Sequence, residues 1–245
     1  MIFLAMLKAK IEDILIKDNH TGIPLLSKIE FELIEGKIYS ILGENGSGKS
    51  TLIKSLTCLL NENIFTVKGS VQFNNENIYS FNEEQLKHLR LRSIRYVFQD
   101  AVNSFDPLKT FEYYFINSES GNEKIEELLD YFLLPEYDKL AKLYPYEVSG
   151  GMAQRISIVL AFLANPKLII LDEPTSGIDY AISNLLLHKL SEFKEKERGA
   201  GLIVTHDIKF AEKVSDELAV LEEGTLKEFM PKADFLSQSE ILSTK

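Results

Sequence analysis

Gly43-Glu44-Asn45-Gly46-Ser47-Gly48-Lys49-Ser50-Thr51 matches the phosphate-loop pattern G-x-x-x-x-G-K-[ST], and the rest of the 245-residue chain reads outward from it. Upstream, Lys37-Ile38-Tyr39-Ser40-Ile41-Leu42 is a short apolar, β-branched run that predicts a buried strand. Downstream, Leu52, Ile53, Leu56, Leu59 and Leu60 recur at helical spacing and predict a helix over 49–60. A glycine-rich turn between a strand end and a helix start is the context such a loop requires. There, backbone N–H groups can wrap a polyphosphate and the helix dipole adds positive potential. Lys49 can then reach β- and γ-phosphates, and Ser50 can ligate Mg²⁺.

The second chemical stretch is Lys167-Leu168-Ile169-Ile170-Leu171-Asp172-Glu173, an apolar strand whose C-terminal end presents two adjacent carboxylates. Ligands of open α/β sheets bind at that end. Asp172 there suits Mg²⁺, through its coordinated waters, and Glu173 suits polarising an attacking water. On its own, Asp-Glu after an apolar run is more often a solvated strand end. Val148-Ser149-Gly150-Gly151-Met152-Ala153-Gln154-Arg155 opens another helix, with Ser149 as its N-cap and two glycines that expose N–H groups to an anion.

Alternating hydrophobicity predicts strands over 9–17, 28–34 and 67–73, the first two separated by a turn cluster at 18–24. A polar helix at 83–91 leads into a strand at 94–98. Over 100–148, aromatic residues and acidic helices such as 123–134 replace β-branched runs, which marks an inserted helical subdomain. The α/β rhythm then returns: helix 150–163, strand 168–171, helix 180–197, strand 202–205, helix 207–215, and a terminal strand pair at 218–221 and 225–229. This alternation predicts a mainly parallel sheet with helices on both faces.

A net charge of −10 argues against the nonspecific phosphate-backbone binding of a basic nucleic-acid protein. The single Cys58 cannot form an internal disulfide, falls on the helix predicted after the phosphate loop, and suits a reducing cytosol. The longest apolar run, 156–164, is far too short to span a bilayer, so a membrane role has to come through a partner. Met1-Ile2-Phe3-Leu4-Ala5-Met6-Leu7 lacks a basic lead-in and is not read as a signal peptide.

Taken together, residues 7–229 resemble the nucleotide-binding subunit of ATP-binding cassette (ABC) transporters. The resemblance matches Gly43 to Thr51 with the Walker A loop, Gln99 with the Q-loop glutamine, and Val148 to Met152 with the signature. It matches Leu168 to Asp172 with Walker B, Glu173 with the catalytic glutamate, Ser176-Gly177-Ile178-Asp179 with the D-loop, and His206 with the switch histidine. It implies a P-loop ATPase fold: an ATP-binding core with an antiparallel β subdomain over 1–99 and 149–245, and the helical insertion at 100–148. Implied cofactors are ATP and Mg²⁺, the latter near Ser50, Gln99 and Asp172. Glu173 and His206 would be catalytic. Two subunits would meet head to tail, so that Ser149, Gly150, Gly151, Met152 and Gln154, with Asp179, complete a site held mainly by the partner's Walker A loop.

Val97-Phe98-Gln99-Asp100 with Ser104-Phe105-Asp106-Pro107, and Tyr144-Pro145-Tyr146-Glu147 before the signature, narrow the likeness to the oligopeptide/dipeptide/nickel importer branch. That branch implies transmembrane permease subunits, a second ABC ATPase subunit, an extracytoplasmic solute-binding protein, and a place at the cytoplasmic face of the membrane. The same ATPase head also serves soluble proteins that act on nucleic acid or the ribosome. The long coiled-coil insertions and basic surfaces common there are not visible. Ile14 or Ile16 takes the place of the aromatic residue that commonly stacks on adenine.

Overall fold

The computed structural model describes residues 5–18, 22–118, 120–196 and 198–243. Of the apolar start, residues 1–4 lie outside these, while Ala5 opens strand β1 (Ala5–Ile16).

The described residues form two sheets. One is antiparallel, in the order β2-β1-β4-β5, from β1, β2 (Ile23–Ile34), β4 (Phe65–Phe73) and β5 (Glu76–Asn77). The other follows the order β10-β9-β3-β8-β7-β6: β3 (Ile38–Leu42), β6 (Ile94–Val97), β7 (Leu168–Asp172), β8 (Ala200–Thr205), β9 (Glu217–Glu222) and β10 (Thr225–Leu226). From β6 through β9 every pairing is parallel, while β10 and the short β11 (Met230–Pro231) run antiparallel to β9. Parallel strands covered on both faces become continuous apolar runs. In β7 and β8 every residue is buried.

Alternate residues of these strands serve two cores. Leu168, Ile170, Leu202 and Val204 pack toward helix α1 (Lys49–Ser55) and the antiparallel sheet. Ile169, Leu171 and Ile203 pack toward α6 (Gly150–Leu163) and α7 (Tyr180–Lys196). Between β6 and α6 the described residues include three short α-helices, α3 (Phe111–Ile116), α4 (Asn122–Tyr131) and α5 (Tyr137–Leu140). Their aromatic core, with Phe111, Phe115 and Phe132 fully buried, is continuous with α6. Arg155 fastens the junction by donating to the carbonyls of Phe132 and Leu133 at 3.1 and 2.8 Å.

Several element boundaries differ from expectation. β2 begins at Ile23, so Pro24 lies in a strand rather than a turn; β2 is an edge strand, where a missing N–H is tolerated. The expected helix over 49–60 stops at Ser55. Leu59 N–H reaches Lys54 O and Cys58 N–H reaches Ser55 O, a Schellman end with Cys58 in the left-handed region at φ 53°. Cys58 is therefore a C-terminal cap residue, not a helical one. Arg90, in α2 (Glu83–Arg92), clamps this end with hydrogen bonds to the carbonyls of Thr57 and Cys58 at 2.8 and 2.6 Å. At the other end, the strand expected at 225–229 is only Thr225–Leu226, and α9 (Lys232–Ser243) follows without having been expected.

Candidate functional site

The loop between β3 and α1 turns through Gly46 and Gly48, both at positive φ; at Gly48, φ 99° strains any side chain, and a Cβ there would press on Leu26 Cδ2 at 2.8 Å. That close approach seats the loop on the antiparallel sheet. Beyond it the helix starts at Lys49, and the first N–H groups of a helix have no intrahelical acceptor. Lys49 is buried, at 6% exposure. Its ammonium donates to the carbonyls of Gly43 and Glu44 at 2.8 and 2.9 Å and lies 3.7 Å from Glu173 Oε1. Two of its three donors are thus tied to the loop itself, and the desolvated charge is held at the loop's mouth.

Asp172 ends β7 on the face that packs toward α1, since Asp172 and Ile170 share one side of the strand. Ser50 Oγ donates to Asp172 Oδ1 at 2.9 Å, and Tyr96 Oη donates to Oδ2 at 3.0 Å. Burial raises the Asp172 carboxyl above the ordinary carboxylate range, and the two hydroxyl bonds and Lys54 pull the other way. Burial also pushes the Tyr96 phenol well above its ordinary value, with the neighbouring Asp172 charge adding to the rise, so it stays a donor.

Glu173 follows at φ +46°, a left-handed conformation that costs a non-glycine residue about 1–3 kcal/mol and persists only where its surroundings enforce it. Its N–H donates to Val204 O and its carbonyl accepts from Ser176 N–H, at 2.9 and 3.0 Å. The carboxylate is buried and caged: Thr205 Oγ1 donates to Oε2 at 2.9 Å, His206 N–H lies 3.1 Å from Oε1, and His206 Nδ1 lies 3.0 Å from Oε2. The His206 side chain is 60% exposed, so its Nδ1 edge closes the cage while the rest of the ring is open to solvent.

The fold therefore brings Lys49, Ser50, Asp172, Glu173 and His206 to one place. Gln99 lies exposed in the bend after β6, and among the described residues no hydrogen bond joins it to Asp172. Ser149 caps α6 by accepting from Met152 N–H at 3.2 Å, and Gly150 beside it is exposed. Gly151 packs so closely on the D-loop that a Cβ would sit 2.6 Å from Gly177 O. Met152 leans into the aromatic core, and Gln154 is buried with Nε2 unpartnered. Asp179 accepts from Ile182 N–H at 2.9 Å and so caps α7. Asp179 and His206 line one open groove with Thr175, Tyr180 and Lys209. Of the two isoleucines, Ile14 is fully buried between Leu26 and Val67, whereas Ile16 is partly exposed at the strand end.

The donor set fits Mg²⁺. Ser50 and Asp172 offer hard oxygens side by side, and no group of three or more His, Cys, Asp or Glu that could hold a metal occurs among the described residues. Mg²⁺ is characteristically held in this way, by one or two protein oxygens together with substrate phosphates and water.

Sequence reasoning missed Tyr96 and Thr205. Tyr96 pairs with Ile170 in register, which places its side chain on the same sheet face as Asp172. Only the β6–β7 pairing reveals that. Thr205 is the residue before His206, and its hydroxyl could have been read as a partner for Glu173 once the adjacency of β7 and β8 was known.

A family model described as "ABC transporter" matches residues 26–176. The metal-staphylopine import system ATP-binding protein CntD of Staphylococcus aureus is 34% identical over 244 residues, spanning 96% of this chain and 90% of that protein. The oligopeptide transport ATP-binding protein OppD of Escherichia coli is 34% identical over 222 residues, spanning 87% of this chain and 66% of that protein. Among solved structures, the dimeric bacterial ABC transporter cassette MJ0796 superposes with a TM-score of 0.79 at 27% identity, over 93% of this chain and 99% of that one.

Proposed function

The chain belongs to the ABC transporter family, and from that premise we propose that it is the ATP-hydrolysing subunit of an importer for peptides or for nickel or other metal complexes, working through separate membrane permease subunits. ATP hydrolysis is the family's activity. The observation that carries its assignment to these residues is the convergence of Lys49, Ser50, Asp172 and Glu173 at the C-terminal end of β7. The cargo class follows from relatives named for oligopeptide, dipeptide and metal-staphylopine transport.

In this reading the Walker A loop and Lys49 bind the β- and γ-phosphates. Bound Mg²⁺, held by Ser50 and Asp172 with Gln99 nearby, would neutralise phosphate charge. Glu173 accepts a proton from the attacking water, and His206 orients that water and the γ-phosphate. The 3.0 Å contact between His206 Nδ1 and Glu173 Oε2 supports the two residues acting on the same water. The start of α6, with Ser149, Gly150 and Gly151, serves the nucleotide of a second ATPase subunit, homologous or identical. Its rigid seating on Gly177 supports coupling between signature and D-loop.

Residues 100–148 act as the helical subdomain that faces the permease. A groove of about 260 Å³ between α2, β6 and this segment, lined by Leu91, Phe98, Phe105 and Tyr114, supports docking there. No described helix is long and apolar enough to cross a membrane, which suits a peripheral place on the cytoplasmic side with spanning provided by partners. An extracytoplasmic solute-binding protein completes such a system.

The test is isolation of the complex from detergent-solubilised membranes and its reconstitution in liposomes. ATP-driven uptake of labelled oligopeptide or of a chelated nickel ion, lost in Glu173→Gln, is the expected result. Recovery of the chain with ribosomes or nucleic acid and without polytopic partners would overturn the reading.

A further inference from the structure

Among the described residues no hydrogen bond joins the Tyr96 hydroxyl to the phosphate loop or to Glu173, yet it donates a 3.0 Å hydrogen bond to Asp172 Oδ2, the carboxylate oxygen that Ser50 leaves free. A carboxylate bonded by a single hydroxyl can rotate about its terminal torsion, which is broad and nearly two-fold. Two donors on opposite oxygens remove that freedom. The phenol is itself held: its ring packs on Phe98 with centroids 4.3 Å apart, and strand pairing fixes its height against Ile170.

We infer that Tyr96 is a positioning residue for the cation site: by restraining Oδ2 of Asp172 it keeps Oδ1 turned toward Ser50 Oγ, so the Ser50 hydroxyl and the carboxylate that would meet Mg²⁺ or its waters are aligned before nucleotide arrives. This rests on the proposed assignment of Mg²⁺ to Ser50 and Asp172. Outer partners that orient a ligand typically contribute about 10–100-fold in metal affinity or activity. Because nucleotide and cation share one site, that contribution shows as the factor by which each raises the other's affinity.

The experiment compares full-length wild-type protein with Tyr96→Phe, which deletes only the hydroxyl, and with Tyr96→Met, which keeps apolar bulk without the ring. Affinity for a fluorescent, non-hydrolysable ATP analogue is measured in EDTA and again in saturating Mn²⁺; the ratio of the two is the metal coupling factor. Expected is a coupling factor lower by about tenfold in both variants, with the EDTA affinity within about twofold of wild type. An unchanged coupling factor in a folded variant overturns the inference, and so does a parallel loss in EDTA and Mn²⁺, which marks a merely structural hydroxyl. A wild-type protein whose nucleotide binding gains nothing from Mn²⁺ overturns the cation assignment itself, and the two failures are thereby distinct.

Discussion

Thr205→Val tests the cage around Glu173 while leaving shape and strand propensity nearly intact. Thr205 is fully buried; its hydroxyl donates to Glu173 Oε2 at 2.9 Å and accepts from Asp207 N–H at 3.0 Å. A hydrogen bond to an ionised group contributes about 1.5–3 kcal/mol. Asp207 is only partly buried, so its N–H can find water and adds up to about 1 kcal/mol. The sum, about 1.5–4 kcal/mol, corresponds to a fall in Tm of roughly 3–16 °C for a domain of this size. Thr205→Ser keeps the donor and loses one buried methyl, so it should lose only about 1 kcal/mol. Calorimetry is run without nucleotide, since ligand would raise Tm by mass action. Repeating the substitution in Glu173→Gln makes the acceptor neutral, and the cost should shrink to about 1 kcal/mol. A Thr205→Val protein melting within 2 °C of wild type (about 1 kcal/mol or less), with the same cost in both backgrounds, would refute the cage.

Asp172→Asn should raise Tm at neutral pH. Burial lifts the folded-state pKa of Asp172 above its unfolded value, so its contribution to stability is complete below the unfolded pKa near ~4 and is lost as pH rises through the folded one. The advantage of the neutral amide should therefore fade as melts are taken toward pH 4. A gain independent of pH would contradict this. Arg90→Ala removes both clamps on the carbonyls of Thr57 and Cys58 and should cost about 2–4 kcal/mol by chemical denaturation. Arg90→Lys, a point donor in place of a fork, should recover no more than about half of that.

Much of the architecture was legible because parallel strands buried on both faces leave continuous apolar runs. Leu168 to Leu171 and Ile38 to Leu42 are such runs, and helix 150–163 was readable from Ser149 and the apolar stretch that follows. What failed was local. Leu59 and Leu60 continued a helical pattern past Ser55, but the Schellman bonds at Cys58 and the Arg90 clamp, a contact across 32 residues, outweighed periodicity there. Pro24 looked like a turn because an edge position cannot be known before pairing. At the site, single-residue chemistry pointed to Lys49, Asp172 and Glu173, whereas Tyr96 and Thr205 are polar members of apolar strands. Their roles emerge only from which strands lie side by side. The choice between Ile14 and Ile16 likewise needed register, which buries the first and leaves the second partly open.

The central claim is that Glu173 serves as the base for water attacking ATP bound at Lys49. Glu173→Gln keeps the size of the side chain and an oxygen to accept from Thr205 and the His206 N–H, but it cannot take a proton. Nucleotide affinity and steady-state hydrolysis measured on the same preparation decide the matter. The account predicts binding within about threefold of wild type and turnover lower by about 10²–10⁴-fold; undiminished turnover would contradict it.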